Sequence, residues 1–258
     1  MTTTLTHTWY MTVRHVRAII RQPWYVALTL IQPIIWLLLF GALFKKIVEI
    51  PGFASTSYIT FLTPGIVVMS AVFSGGWGGM GVIDDLNRGV MDRFLVAPVS
   101  RSSVLMGRVI QTGLAAILQS LIMVGLALAV GAHFPGGVAG LLVLIVAAIL
   151  LSMGFGSLSN GLALVLRREE SVIAASNFVL LPLTFLSSAF LQQNLAPHWI
   201  QVVAAYNPVN WAIQAGRAAL GANVDWTMVL SRLGYLLAFT VVCAWVSTRA
   251  FRSYQRSV

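Results

Sequence analysis

Six stretches of the chain are almost wholly apolar, at roughly 24–44, 59–82, 107–131, 138–166, 172–191 and 228–248. Each is near or above the ~20 residues that a helix needs to cross a hydrocarbon core. The pattern predicts an all-α integral membrane fold of six transmembrane helices. The short alternating segments of a β-barrel do not occur. The fourth stretch is long: at 1.5 Å per residue it would reach ~43 Å. It is therefore expected to tilt, to kink near Gly154 and Gly156, or to project at its cytosolic end. Pro182 should kink the fifth, which lipid-embedded helices tolerate when neighbours satisfy the freed carbonyl.

Two further segments have mixed character. In "TWYMTVRHVRAIIRQPW", Trp9, Val13, Val16 and Ile20 recur at helical spacing, while Arg14, Arg17 and Arg21 line another face. This predicts an amphipathic helix over 8–22, lying in the membrane surface with its arginine heads toward anionic lipid. Pro23 marks the turn into the first span. The segment 192–226 is too polar to cross and too apolar to be a free loop. Pro197 opens a short helix, Asn207-Pro208 breaks it, and a second runs from about Val209 to Leu220 before Gly221. This outer pair would lie in the membrane interface or re-enter it. No repeat or linker divides the chain, so 1–258 reads as a single domain.

Composition agrees with this picture: 58% of residues are hydrophobic and 9% are charged, against about a quarter charged in a soluble domain. Charge placement then gives orientation. Twelve arginines flank one side of the spans, and Lys45, Lys46, Arg217 and Arg232 flank the other. The positive-inside rule puts both termini in the cytoplasm. That topology and membrane lipid account for the net charge of +9, so no nucleic-acid partner is expected. Cys243 is the sole cysteine, and His7, His15, His133 and His198 are scattered, so no metal site is expected. The N-terminus lacks signal-peptide character and is expected to be retained.

Against this background "DDLNRGVMDRFLVAPVSRSS", residues 84–103, is a charged island. Its six charges would cost ~3 kcal/mol each in lipid, which places it in the cytoplasm. Asp84 precedes Arg88 by four, a favourable helical pair. Met91, Phe94 and Leu95 make an apolar face before Ala97-Pro98 ends the helix. Such a helix is either a solvated loop element or a docking element.

"GWGGMG" matches the dinucleotide fingerprint in letters only, because it ends a membrane span rather than joining a strand to a helix. Gly75 and Gly79 instead offer a small-residue face for close helix packing. The chain contains no P-loop and no nucleophile–base arrangement. Gln32, Gln111, Gln119, Asn160, Ser176, Asn177, Thr184 and Ser187 lie within spans, where they either bond between helices or line a path. No acidic residue sits deep in a span, so the energy for any transport enters elsewhere.

"RGVMDRFLVAPVSRSSVLMGR", "LAPHWIQVVAAYNPVNWAIQAGRAALGA" and the surface helix before six spans together resemble the permease subunits of type-2 ABC exporters. One departure is Met91-Asp92, where many members have Thr and Glu. The resemblance implies a coupling helix built on Arg88, Gly89, Met91, Asp92, Arg93, Phe94 and Pro98, which docks on a separate ATPase subunit. Two permeases would work with two ATPases, which carry the ATP and Mg; this chain would hold no cofactor and be no enzyme. The implied substrate path is Phe73, Trp77, Asn177, Phe178 and Phe185, and the implied outer gate is Asn207, Pro208 and Arg217. The setting would be a bacterial inner membrane. The aromatic, apolar spans favour an amphipathic drug, antibiotic or lipid over a polysaccharide or lipo-oligosaccharide. An ATP-independent channel or carrier, or a membrane-embedded enzyme, is a more distant alternative.

Overall fold

The apolar runs become long helices because a helix satisfies its own backbone groups wherever water is absent. The computed structural model describes residues 23–50, 55, 57–89 and 101–255, and every regular element among them is helical. In chain order these are α1 (Pro23–Leu43), α2 (Tyr58–Gly76), α3 (Met80–Asn87), α4 (Arg101–Ala129) and α5 (Gly137–Leu166). After them come α6 (Glu169–Phe185), α7 (His198–Ala205), α8 (Pro208–Leu220) and α9 (Trp226–Gln255). Short 3-10 turns occupy Lys45–Glu49 and Gln193–Leu195. The surface helix expected over 8–22, with Arg14, Arg17 and Arg21, lies outside the described residues.

Four helical stretches are long and apolar enough to cross a membrane: Tyr58–Asn87, Met106–Ala129, Gly137–Leu166 and Trp226–Ala250. Two of the expected six are less complete. The apolar part of α1, Leu28–Leu43, is shorter, and α6 has 17 residues. The chain is a multi-pass membrane protein.

The hub is α5, which packs against α2, α3, α4, α6, α8 and α9. It is helical without a break from Gly137 to Leu166, through Gly154 and Gly156. Those glycines serve contact instead: a Cβ on Gly154 would meet the Phe239 ring at 2.7 Å, and one on Gly156 would meet Thr112 Oγ1 at 2.9 Å. The helix stops at Arg167, whose φ of 53° is left-handed. Arg168 is extended, and Glu169 and Glu170 then open α6, where acidic residues favour the helix dipole.

Two expectations about span ends need correction. The second span does not run evenly over 59–82. It is interrupted at Trp77–Gly79 and resumes as α3, because neighbouring helices supply partners for the interrupted backbone. The glycine-rich stretch therefore lies inside a span rather than at its end. The fifth span, α6, does not stay helical to 191, and Pro182 lies inside its last turn. It ends at Phe185, where side chains from the following segment take over its carbonyls.

The Gly75 and Gly79 face is confirmed as a packing surface. A Cβ on Gly75 would fall on the Ser152 carbonyl, and one on Gly79 on the Ser159 carbonyl, both backbone atoms of α5. In lipid, apolar side chains gain little by leaving lipid for one another, so close backbone approach holds helices together. Gly75→Val should therefore lower stability by about 3 kcal/mol, read as a lower melting temperature in detergent. Gly125→Ala, where an added Cβ meets nothing within 4 Å, should leave it unchanged or slightly higher.

Candidate functional site

At the interruption between α2 and α3, the freed backbone groups are taken up by α5 and α6. Ser159 Oγ accepts from the Gly79 amide at 3.0 Å and donates to the Gly76 carbonyl at 2.5 Å. Ser176 Oγ donates to the same carbonyl at 2.9 Å. Beside this node Trp77 Nε1 donates to Asn177 Oδ1 at 3.3 Å, and the Phe73 and Trp77 rings touch at 5.5 Å between centroids. The structure thus brings together Phe73, Trp77 and Asn177 from the sequence-predicted path. Phe178 and Phe185 are not part of this group: they are 82% and 58% exposed on the outside of α6. Phe185 instead stacks on Phe190. Trp77 and Asn177 form an amphipathic surface, with a ring for apolar contact and an amide for a polar group.

The other polar span residues divide. Thr184 and Ser187 bond within their own segment, to the Leu180 and Thr184 carbonyls. Asn160 is buried, and its amide makes no hydrogen bond among the described residues.

The second locus is the end of the bundle that bears Arg88, Arg108, Arg167 and Arg168, called here the basic end. The helical pair expected between Asp84 and Arg88 forms at 2.8 Å and is exposed. Of the expected coupling residues, Arg88 and Gly89 follow α3; Gly89 has a left-handed φ of 63°. Met91, Asp92, Arg93, Phe94 and Pro98 lie outside the described residues. The charged island is not uniformly solvated, which corrects the expectation for its first turn. Asp85 is buried and ion-paired with buried Arg108 of α4. Arg108 Nη2 also donates to the Gly81 carbonyl at 2.6 Å. Sequence reading placed both residues among flanking surface charges. The missed signal is phase: Asp85 follows Val82 by three and so shares its buried face, whereas Asp84 and Arg88 do not.

The third locus is the opposite end. The predicted short helices form as α7 and α8, separated at Asn207. Asn207 Oδ1 caps α8 by accepting from the Val209 amide, and Pro208 fills the first helical position. Its Nδ2 donates to the Leu183 carbonyl at 2.6 Å and the Leu186 carbonyl at 3.3 Å, closing the end of α6. Asn210, which sequence reading missed, accepts from Ser188 through both its amide and its hydroxyl. Arg217 donates to the Phe61 and Ala189 carbonyls and lies 3.6 Å over the Phe61 ring. Desolvation lowers its pKa to about 9, with nearby Tyr58 opposing, so it is charged at pH 7. This end is a set of fixed joints rather than a catalytic cluster. Among the described residues no group of three or more His, Cys, Asp or Glu could hold a metal ion.

A family model described as ABC-2 type transporter matches residues 6–221. The daunorubicin resistance ABC transporter permease protein DrrB1 of Streptomyces coeruleorubidus is 27% identical over 252 residues, covering 97% of this chain and 86% of that one. The ycf38 protein of Porphyra purpurea, a transport permease by name, is 29% identical over 212 residues, covering 82% and 72%. DrrC of Mycobacterium tuberculosis, by name a doxorubicin resistance ABC transporter permease, is 26% identical over 184 residues, covering 71% and 66%.

Asn207→Ala removes a helix cap and two donors to otherwise interrupted carbonyls. It should cost about 2 kcal/mol of stability, measured by thermal unfolding in detergent. Asn207→Asp, which keeps the cap acceptor and loses the donors, should also be less stable than the parent.

Proposed function

Because the chain belongs to the ABC-2 type transporter family, we propose that it is the membrane subunit of an ATP-driven exporter of amphipathic drug-like, antibiotic or lipid-like compounds. The observation that carries this reading is the similarity to a drug-resistance permease across 97% of the chain. The lack of a P-loop in the sequence fits energy supplied by a separate ATPase subunit, which carries ATP and Mg. Two copies of the chain work with two ATPases. The six apolar runs all cross, α1 and α6 included. The basic end faces the cytoplasm of a bacterial cell, as the twelve arginines on that side favour.

In this arrangement residues 88–98 dock on the ATPase. ATP binding there moves the docking segment, and the motion reaches helix two through α3. The substrate passes beside Phe73, Trp77 and Asn177, where a ring and an amide suit a molecule with an apolar body and polar edges. The joints at Asn207 and Arg217 hold the far end of α6 and α2 against the outer helix pair, so this end opens as a unit.

Doxorubicin is the probe suggested by the relatives' names. In liposomes holding the permease and its ATPase, ATP-dependent doxorubicin efflux is the expected result. Efflux without any ATPase would overturn the proposal in favour of a carrier. Replacing Arg88, Asp92 and Arg93 together by Ala should leave the protein inserted but lower efflux per ATP hydrolysed at least ten-fold. Unchanged efflux in that triple variant would sink the docking assignment.

Trp77→Ala removes the ring and its bond to Asn177. It should raise the doxorubicin concentration needed for half-maximal ATPase stimulation several-fold, whereas Trp77→Phe should raise it less. Equal stimulation curves for parent and Trp77→Ala would remove Trp77 from the path.

A further inference from the structure

At the basic end, Asp85 and Arg108 are only 7% and 6% exposed and form an ion pair. They stand at the two stems of the segment 90–100: Asp85 on α3 just before it, Arg108 on α4 just after it. The two stems are built differently. Helix α4 runs without a break from Arg101 to Ala129 and joins the main core through residues such as Ala116 and Met123. Helix α3 is eight residues long and begins beyond the interruption at Trp77–Gly79. Its apolar side packs in a small cluster of its own, Val82 and Ile83 with Ala163, Leu164 and Val172.

An apolar contact could hold α3 to α4 just as firmly, since desolvating two charges offsets much of their attraction. The ion pair adds direction. One guanidinium reaches both the Gly81 carbonyl and the Asp85 carboxylate, two acceptors about one turn apart on the same helix. Because a guanidinium is planar and rigid, this fixes the rotation and the height of α3 against α4 together. Gly81 admits the contact; a Cβ there would meet Arg108 Nη1 at 2.6 Å.

We propose that Asp85 and Arg108 are positioning residues that clamp the two stems of the docking segment. A push on residues 90–100 then swings α3, about the interruption at 77–79, together with α4. This rests on the docking reading of that segment given above.

The test uses the full-length chain with its ATPase in liposomes. Spin labels are placed at Asn87→Cys and Met106→Cys in a Cys243→Ala background, in only one of the two permease copies, and the distance between them is measured. The variant Asp85→Asn with Arg108→Gln removes both charges and keeps a polar amide at each position, so neither charge is left buried alone. The parent should give one narrow distance that does not change on adding ATP and vanadate. The double variant should give a broad distribution. Its doxorubicin efflux per ATP hydrolysed should fall at least ten-fold while the complex stays assembled and still hydrolyses ATP. Asp85→Glu, which keeps the charge, should recover part of that ratio.

A narrow distance with parental efflux per ATP in the double variant overturns the clamp. So does a parental distance that shifts with nucleotide, because the stems would then move separately. If the parent complex neither exports nor responds to ATP, the docking reading fails, and the label distances in the parent and double variant still decide whether the clamp exists.

Discussion

A backbone amide or carbonyl inside a membrane has no water to turn to, so every interruption of a helix must be answered by a side chain. This constraint fixes where the chain can break. At Trp77–Gly79 the answer comes from Ser159 and Ser176, which serve the Gly76 carbonyl and, through Ser159, the Gly79 amide. At the end of α6 it comes from Asn207, which serves two carbonyls with one amide group while capping α8. Both interruptions are therefore placed by residues on other helices. The local sequence permits the break; the partner determines its position.

The same constraint explains the distribution of small and large residues. Since Leu gains little by moving from lipid to Leu, helices associate where backbones can approach closely. The faces of α5 supply this through glycine, serine and alanine, and Thr240 of α9 adds a hydrogen bond to the Leu150 carbonyl at 2.7 Å. Many large side chains face outward beside this packing. Phe178, Leu181 and Phe185 on α6, and Val241, Val242 and Trp245 on α9, are exposed. A soluble protein would treat such a surface as a fault, whereas a membrane protein treats it as its contact with solvent.

Legibility in the sequence follows from which force places a residue. Helix existence was readable because it depends on apolar run length, and the outer pair was readable because Pro197, Asn207-Pro208 and Gly221 act locally. The Asp84–Arg88 pair was readable for the same reason. The interruption at Trp77–Gly79 was not, because it depends on Ser159, which is 80 residues beyond Gly79 in the chain. The early end of α6 depends likewise on Asn207. Asp85 was half readable: its phase with Val82 puts it on the buried face, but only Arg108 across the gap explains why a carboxylate can stay there. Of the predicted path, Phe73, Trp77 and Asn177 meet, whereas Phe178 and Phe185 share a helix with Asn177 but face outward.

Two arginines show how these joints combine. Arg217, from α8, holds the Phe61 carbonyl near the start of α2. Arg108, from α4, holds the Gly81 carbonyl near the start of α3. Helix two is thus held near one end by the outer helix pair and near the other by the helix that follows the charged segment. Its own interruption lies between the two attachments, at Trp77–Gly79. A helix held at both ends and continuous between them would pass a displacement straight along its axis. A helix held at both ends and interrupted in between can change its angle there while each half keeps its own contacts. The residues that meet at that interruption are Trp77 and Asn177, so any change of angle there would alter the amphipathic surface between helix two and α6.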